Sequence, residues 1–222
     1  MRNLLVASVL LAGLSVPAVT RAEPHQGEGV SMVTSSARVA STRMVSAELA
    51  ATMRKLWEDH IAYTRNFIIS SLAGAGDADV VAMRLLKNQD DIGNAIKPFY
   101  GAAAGDKLAV LLRDHILIAS EVVKATRNRD VEAIAAKQLS WAESSDAIAN
   151  FLADANPALA RPVLILVLRR HLDLTRLELT SRLKHDWAAD IEAYDLAHDH
   201  ILMFADMISD GILKQHRRRF SR

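Results

Sequence analysis

The sequence contains no cysteine among its 222 residues, so disulfide bonds and lipid attachment at a cysteine are both excluded. Aromatic residues make up only 5%, although half of the chain is hydrophobic. The apolar residues are therefore mainly Ala, Leu, Ile, Val and Met, a composition that suits helices. Basic and acidic residues nearly balance, at 27 against 26, which gives no support to a general nucleic-acid-binding role.

The N-terminus has the pattern of a secretory signal peptide. A short positive region, residues 1–3, precedes an apolar run at residues 4–14 and a small residue at Ala22. We expect cleavage after Ala22, which would make the mature protein periplasmic or secreted. Removal of Arg2 and Arg21 would leave 25 basic residues against 26 acidic ones. The alternative is an uncleaved membrane anchor, although the apolar run is short for a membrane span.

The rest of the chain divides into three parts. Residues 23–44 are rich in Ser, Gly, Thr and Val without a sustained period, which predicts a flexible linker. Residues 45–213 are enough for one domain with its own core. Residues 214–222 form a basic tail that complements the dipole of the last helix. A contact between this tail and anionic lipid or cell-wall polymer at the envelope surface is the alternative interpretation.

Apolar spacing of three and four residues predicts an all-α domain. The expected helices run from about 45 to 72, 77 to 98, 106 to 127, 130 to 153, 162 to 184 and 186 to 213. Four aspartates are placed as N-caps: Asp77, Asp106, Asp130 and Asp186. Strand signals are absent from the pattern. The sequence therefore predicts an up-and-down bundle of about six helices.

The pattern His-x-x-x-Thr-Arg occurs twice, beginning at His60 and at His171. The two copies are 111 residues apart, about half the chain. Each copy precedes a helix break and an Asp-capped helix. This echo suggests two related three-helix halves, although the match is sparse.

Four histidines fall on the apolar stripes of four different predicted helices: His60, His115, His171 and His198. Burying imidazoles costs free energy unless their nitrogens find partners. Imidazole is the commonest side-chain metal ligand, and helical bundles build metal sites from facing helices. We therefore expect these rings to point inward and at least three of them to share one site.

Two carboxylates complete the predicted ligand set. Glu178 lies two turns beyond His171 on the same face, and Asp91 belongs to an unusual segment at residues 88–101. In that segment Asn88, Asp91 and Asn94 recur at three-residue spacing. The mid-helix Gly93 indicates either a close helix contact or room for a group to approach.

The compact metal-ligand motifs are missing from the sequence: it has neither His-Glu-x-x-His nor Glu-x-x-His. The leading interpretation is still an interior site for a transition metal (Zn, Cu or Fe) or non-covalent haem. The alternative is a metal-free structural or binding protein with a hydrogen-bonded histidine core, in which Thr64 and Thr175 could satisfy ring nitrogens. No Gly-x-Ser-x-Gly elbow or phosphate-binding loop supports an enzyme, so that question stays open.

Several segments resemble an uncharacterised family of bacterial helical proteins whose members often carry export signals. The resemblance rests on Trp57-Glu58-Asp59-His60 with Thr64-Arg65, on the segment from Asn88 to Gly101, and on Leu111 to Ile116. It covers essentially the whole region from Trp57 to Gly211. It implies an exported helical protein, but no activity or catalytic residue that could be carried over.

Overall fold

The computed structural model describes the backbone of residues 28–217 and the side chains of residues 44–217. The described chain folds into helices only. These are α1 (Glu28–Ala73), α2 (Ala78–Tyr100), α3 (Ala102–Asn128), α4 (Val131–Ala155), α5 (Arg161–Leu183) and α6 (Trp187–Gln215). The all-α prediction and the number of helices are confirmed.

Two of the four predicted N-caps form. The Asp130 side chain accepts a hydrogen bond from the backbone N–H of Ala133, and Asp186 does the same for Ala189. Asp77 makes no side-chain cap bond. Asp106 was misplaced as a cap, because α3 already begins at Ala102 and Asp106 instead pairs with Lys97 at 2.6 Å.

The first helix is longer than the sequence suggested. It begins at Glu28, so residues 28–44, which were expected to belong to a flexible linker, are helical. The expected signal peptide, residues 23–27 and the end of the basic tail lie outside the described residues. Among the residues that are described, no helix is both long and apolar enough to cross a membrane.

Within the described residues, the bundle comprises residues 38–217. Helices α2 and α3 run antiparallel, because Asp90 contacts Arg113 whereas Gly93 contacts Gly105. Helix α1 contacts α2 through the Asn88 amide, which donates to the Leu56 carbonyl at 3.0 Å. The Trp57 ring packs edge-on against Phe204 of α6, with centroids 4.8 Å apart. These contacts place α1 between the first and last helices of the α2–α6 series.

The echoed motif lies in α1 and α5, whose two histidine rings face each other with centroids 5.6 Å apart. A shift of 111 residues places the motif of α1 on that of α5, and it places α2 on α6. The motif therefore relates the pair α1–α2 to the pair α5–α6. It therefore does not support two three-helix halves, which would require α1 to correspond to α4. Thr64 donates to the His60 carbonyl at 2.8 Å, and Thr175 donates to the His171 carbonyl at 3.0 Å.

Gly93 marks the closest approach of α2 to α3. A Cβ atom built on Gly93 would lie 2.5 Å from the Gly105 carbonyl oxygen and 2.8 Å from the Ala109 Cβ. A Cβ on Gly105 would in turn lie 2.6 Å from the Gly93 carbonyl oxygen. Of the two explanations that the sequence offered for Gly93, the close helix contact is confirmed.

We expect Gly93→Ala to lower the free energy of unfolding by about 2 kcal/mol. The added methyl group would press on backbone atoms that cannot rotate away, and overpacking of this kind costs about 1–3 kcal/mol or more. The gain in helix propensity of about 1 kcal/mol offsets only part of this loss. Urea denaturation followed by circular dichroism measures the difference.

The matched control is Gly76→Ala, because a Cβ at Gly76 has no neighbour within 4 Å. This variant should be as stable as the unchanged protein, or slightly more stable, since alanine restricts the unfolded chain. Equal stability of the Gly93 and Gly76 variants would contradict the close-packing explanation.

Candidate functional site

Three of the four predicted histidines are buried inside the bundle. His60 comes from α1, His115 from α3 and His171 from α5, and each is at most 6% exposed. The rings of His60 and His171 are 5.6 Å apart between centroids and inclined by 49°. His115 is near enough to both rings to interact electrostatically with them. We call His60, His115 and His171 the histidine cluster.

Buried neighbours in each helix explain why these helices turn their histidines inward. In α1 the buried neighbours of His60 are Trp57, Ile61 and Thr64. In α3 the buried residues Leu112 and Ile116 flank His115, and in α5 Leu168 and Leu174 flank His171. Burial of these stripes drives the helices together, and the imidazoles are carried in with them.

The fourth predicted histidine, His198, was wrongly assigned to the interior. Its side chain is 28% exposed, and its Nε2 lies 3.6 Å from the Glu58 carboxylate. The buried stripe of α6 consists instead of Ala193, Ala197, Ile201, Phe204, Ala205 and Ile208. That stripe also has three- and four-residue spacing, so periodicity alone could not separate it from the one containing His198.

His200, rather than His198, is the histidine of α6 that reaches α5. Its Nε2 donates to the Val167 carbonyl oxygen of α5 at 2.8 Å. It is also one of the groups that interact electrostatically with His171. The signal that could have identified it is its position three residues after the buried Ala197 and four residues before the buried Phe204.

The two predicted carboxylate ligands lie elsewhere. Asp91 is 31% exposed and pairs with Lys87 of its own helix at 2.8 Å. Glu178 is fully buried, as expected, but its Oε1 accepts a hydrogen bond from Arg65 at 2.7 Å. Neither carboxylate contacts the histidine cluster in the structure.

Both ring nitrogens of His115 have partners. The Trp141 indole N–H donates to Nε2 at 3.0 Å, so Nε2 carries no proton. Nδ1 therefore carries the proton and donates to the Ser144 hydroxyl oxygen at 2.9 Å. That hydroxyl in turn donates to the Trp141 carbonyl at 2.7 Å. This closed chain fixes the tautomer and the orientation of His115.

Gln89 of α2 is the partner of His60 that sequence reasoning missed. Its Nε2 lies 3.3 Å from the Nδ1 of His60 and also donates to the Leu85 carbonyl at 2.8 Å. The segment was expected to present Asn88, Asp91 and Asn94 together, but α2 buries Asn88 and Gln89 and exposes Asn94.

The hydroxyls of Thr64 and Thr175 were expected to satisfy the imidazoles. They bind backbone carbonyls of their own helices instead. Within the described side chains, buried polar atoms without a partner include Nδ1 of His171 and Oε1 of Gln89.

The histidine cluster is neutral at pH 7. Burial lowers the pKa of His60, His115 and His171 from 6.5 to about 3 in each case. Repulsion between neighbouring imidazolium charges lowers these pKa values further. Neutral imidazole is the form that binds metals or hydrogen-bond donors. Within residues 44–217, however, no three His, Asp or Glu side chains are grouped so that they could hold one ion.

A second polar centre joins α1, α5 and α6. It consists of Arg65, Glu178, Arg182 and Asp190, which we call the ion-pair cluster. Arg65 forms a two-pronged pair with Asp190 at 3.0 and 3.1 Å, and Arg182 donates to Asp190 at 2.7 Å. The two carboxylates are at most 1% exposed. Two arginines and two acidic side chains are therefore held together inside the fold.

Comparison with known proteins gives no match: no family model, no curated protein and no solved structure is similar to this chain.

Proposed function

We propose that this chain is an exported, metal-independent helical-bundle protein with a structural or binding role, built around a hydrogen-bonded histidine core. The observation that carries the proposal is the engagement of both His115 nitrogens, by Trp141 and by Ser144. A ring that already accepts one hydrogen bond and donates another has no lone pair left for a metal. The export part rests on the signal-peptide pattern of residues 1–22.

Electrostatics supports the same proposal. A divalent ion among three neutral, buried imidazoles would bring a double charge into a region of low polarity, which is costly without a compensating carboxylate. The two carboxylates that the sequence predicted as ligands, Asp91 and Glu178, are each paired with a basic side chain. Recruiting either carboxylate to a metal would require an existing ion pair to be broken.

The second candidate is a transition-metal site formed by His60 and His171 without His115. Two imidazoles whose nitrogens each lie about 2 Å from one ion have ring centroids roughly 5–6 Å apart, and the observed 5.6 Å falls in this range. The unpartnered Nδ1 of His171 and Oε1 of Gln89 are possible donors to such an ion. Zinc, copper or iron, including haem iron, are the metals that imidazole suits.

One preparation distinguishes the two candidates. The full chain, without a His tag, is expressed in a bacterium, and its periplasmic fraction is purified. Intact-mass analysis should show a chain beginning at Glu23, and elemental analysis should show far less than one metal ion per chain. The visible spectrum should lack haem bands. Full-length protein in the cytoplasm would contradict export, and a stoichiometric metal would favour the second candidate.

Variants of the histidines sharpen this test. His115→Ala should lower the free energy of unfolding by about 2–4 kcal/mol, through a cavity and an unpartnered Trp141 N–H, and added Zn²⁺ should not restore it. The matched control is His198→Ala, a partly exposed site where we expect a change within about 0.5 kcal/mol. If His171→Ala instead abolished a bound metal while His198→Ala retained it, the metal-independent proposal would be wrong.

A further inference from the structure

The two carboxylates of the ion-pair cluster accept unequal numbers of hydrogen bonds. Asp190 accepts three hydrogen bonds, two from Arg65 and one from Arg182. Glu178 accepts one, at Oε1 from Arg65. Its other oxygen, Oε2, is buried and has no hydrogen-bond partner. The cluster is therefore complete around Asp190 and incomplete around Glu178.

This inequality favours a proton on Glu178. A buried carboxylate oxygen without a donor keeps its charge at high cost, whereas a neutral carboxyl group at the same place loses much less. The pairing of Arg65 with Asp190 does not need Glu178, because the two hydrogen bonds of that pair join the guanidinium directly to the two Asp190 oxygens. Glu178 can thus gain or lose a proton while Arg65 stays paired with Asp190.

We propose that Glu178 is a proton-binding site that exchanges its proton at Oε2 in the neutral pH range, and that its ionisation draws Arg182 away from Trp187. Of the two arginines in the ion-pair cluster, Arg182 is the one on the same helix as Glu178. Its side chain is partly exposed, and it has N–H groups beyond the one that donates to Asp190. In the present arrangement its guanidinium lies over the Trp187 ring, 5.4 Å from the centroid. A charged Oε2 would compete with Asp190 and with that ring for the guanidinium.

The titratable and charged groups around Glu178 are Arg182 on its own helix α5, Arg65 from α1, and Asp190 and Tyr194 from α6. Burial is the largest influence and raises the pKa of Glu178 to about 7, and the nearby Asp190 charge acts in the same direction. The two arginines oppose this shift without cancelling it. The inference does not depend on the histidine cluster or on the proposed function.

The test is a pH titration of the whole chain by NMR, with ¹³C at the glutamate Cδ, between pH 5.5 and 8.5. Glu178→Gln identifies the Glu178 signal by its loss. We expect the Glu178 Cδ shift to have its midpoint within about one pH unit of 7. The Trp187 indole N–H signal should move with the same midpoint, and this movement should be absent in Glu178→Gln.

The matched control is Asp173→Asn, which removes an exposed ion pair with Arg176 on the outside of the same helix. It should leave both titrations unchanged. A Glu178 signal that is constant across the range would overturn the proton-binding site. A Trp187 movement that persists in Glu178→Gln, or that is missing from the unchanged protein, would overturn the coupling through Arg182. If Glu178→Gln does not fold, through-bond assignment of the unchanged protein identifies the signal and decides the question.

Discussion

Acidification from pH 7 to pH 5 should lower the free energy of unfolding by about 4 kcal/mol. Burial lowers the pKa of His60, His115 and His171 to about 3, whereas the same groups in the unfolded chain have their ordinary value of 6.5. Below pH 6.5 these three histidines therefore bind protons in the unfolded chain but stay neutral in the folded chain. The stability that neutral histidines provide is present above pH 6.5 and is lost progressively as the pH falls toward 3. Each histidine loses about 2 kcal/mol by pH 5.

Glu178 acts in the opposite direction. Its pKa is raised to about 7 in the folded chain, against 4.5 in the unfolded chain. Its contribution to stability is therefore full below pH 4.5 and is lost as the pH rises through 7. As the pH falls from 7 to 5, protonation of Glu178 adds about 2 kcal/mol to the free energy of unfolding. This gain offsets roughly one of the three histidines, which leaves the net loss stated above.

Urea unfolding followed by circular dichroism at pH 7, 6 and 5 measures this dependence. The Glu178→Gln variant cannot regain stability through that proton, so its loss over the same range should be steeper, about 6 kcal/mol. His198→Ala should follow the unchanged protein, because that histidine is outside the cluster. Stability that stays flat or rises toward pH 5 would contradict the assignment of three buried neutral histidines.

The secondary structure was accessible from the sequence because its signals are local. Asp130 and Asp186 cap the helices that follow them, and the apolar spacing between the caps is regular. Errors arose where a signal was weak or shared. Asp106 looked like a cap because it opens a periodic stretch, but the alanines before it extend α3 back to Ala102.

The histidine cluster was predictable in part. His60, His115 and His171 each have apolar neighbours on both sides of one face, so their burial follows from periodicity. His198 failed because α6 offers two overlapping stripes, and packing against its neighbours selects the one with Ala197. Gln89 was missed because a glutamine in a polar segment gives no sign that it is buried.

The ion-pair cluster could not be derived from spacing. Arg65 is 113 residues from Glu178 in the sequence and 125 from Asp190. Neither separation produces a local sequence pattern. Only Glu178 stood out, as a carboxylate on an inward face. The echoed motif even pointed away from the answer, since Arg65 is drawn inward while its counterpart Arg176 pairs with Asp173 on the surface.

Because Arg65 is drawn inward and Arg176 lies on the surface, alanine variants of these two motif arginines form a matched pair. We expect Arg65→Ala to lower the free energy of unfolding at pH 7 by about 3–5 kcal/mol, because two buried carboxylates would keep only Arg182 as a partner. The Arg65 guanidinium also stacks on the Tyr194 ring, 4.6 Å from its centroid, and this contact would be lost. Arg176→Ala removes an exposed pair at the equivalent motif position and should cost less than about 1 kcal/mol.

Urea unfolding at pH 7 compares the two variants. Part of the Arg65→Ala deficit should disappear toward pH 6, since protonation of Glu178 removes one of the uncompensated charges. Should Arg65→Ala fail to fold, Arg65→Lys keeps the charge but loses the two-pronged pairing with Asp190, and we expect an intermediate loss. Similar losses in the Arg65 and Arg176 variants would mean that burial of the ion-pair cluster does not govern stability, and the unequal roles of the two motif arginines would have to be abandoned.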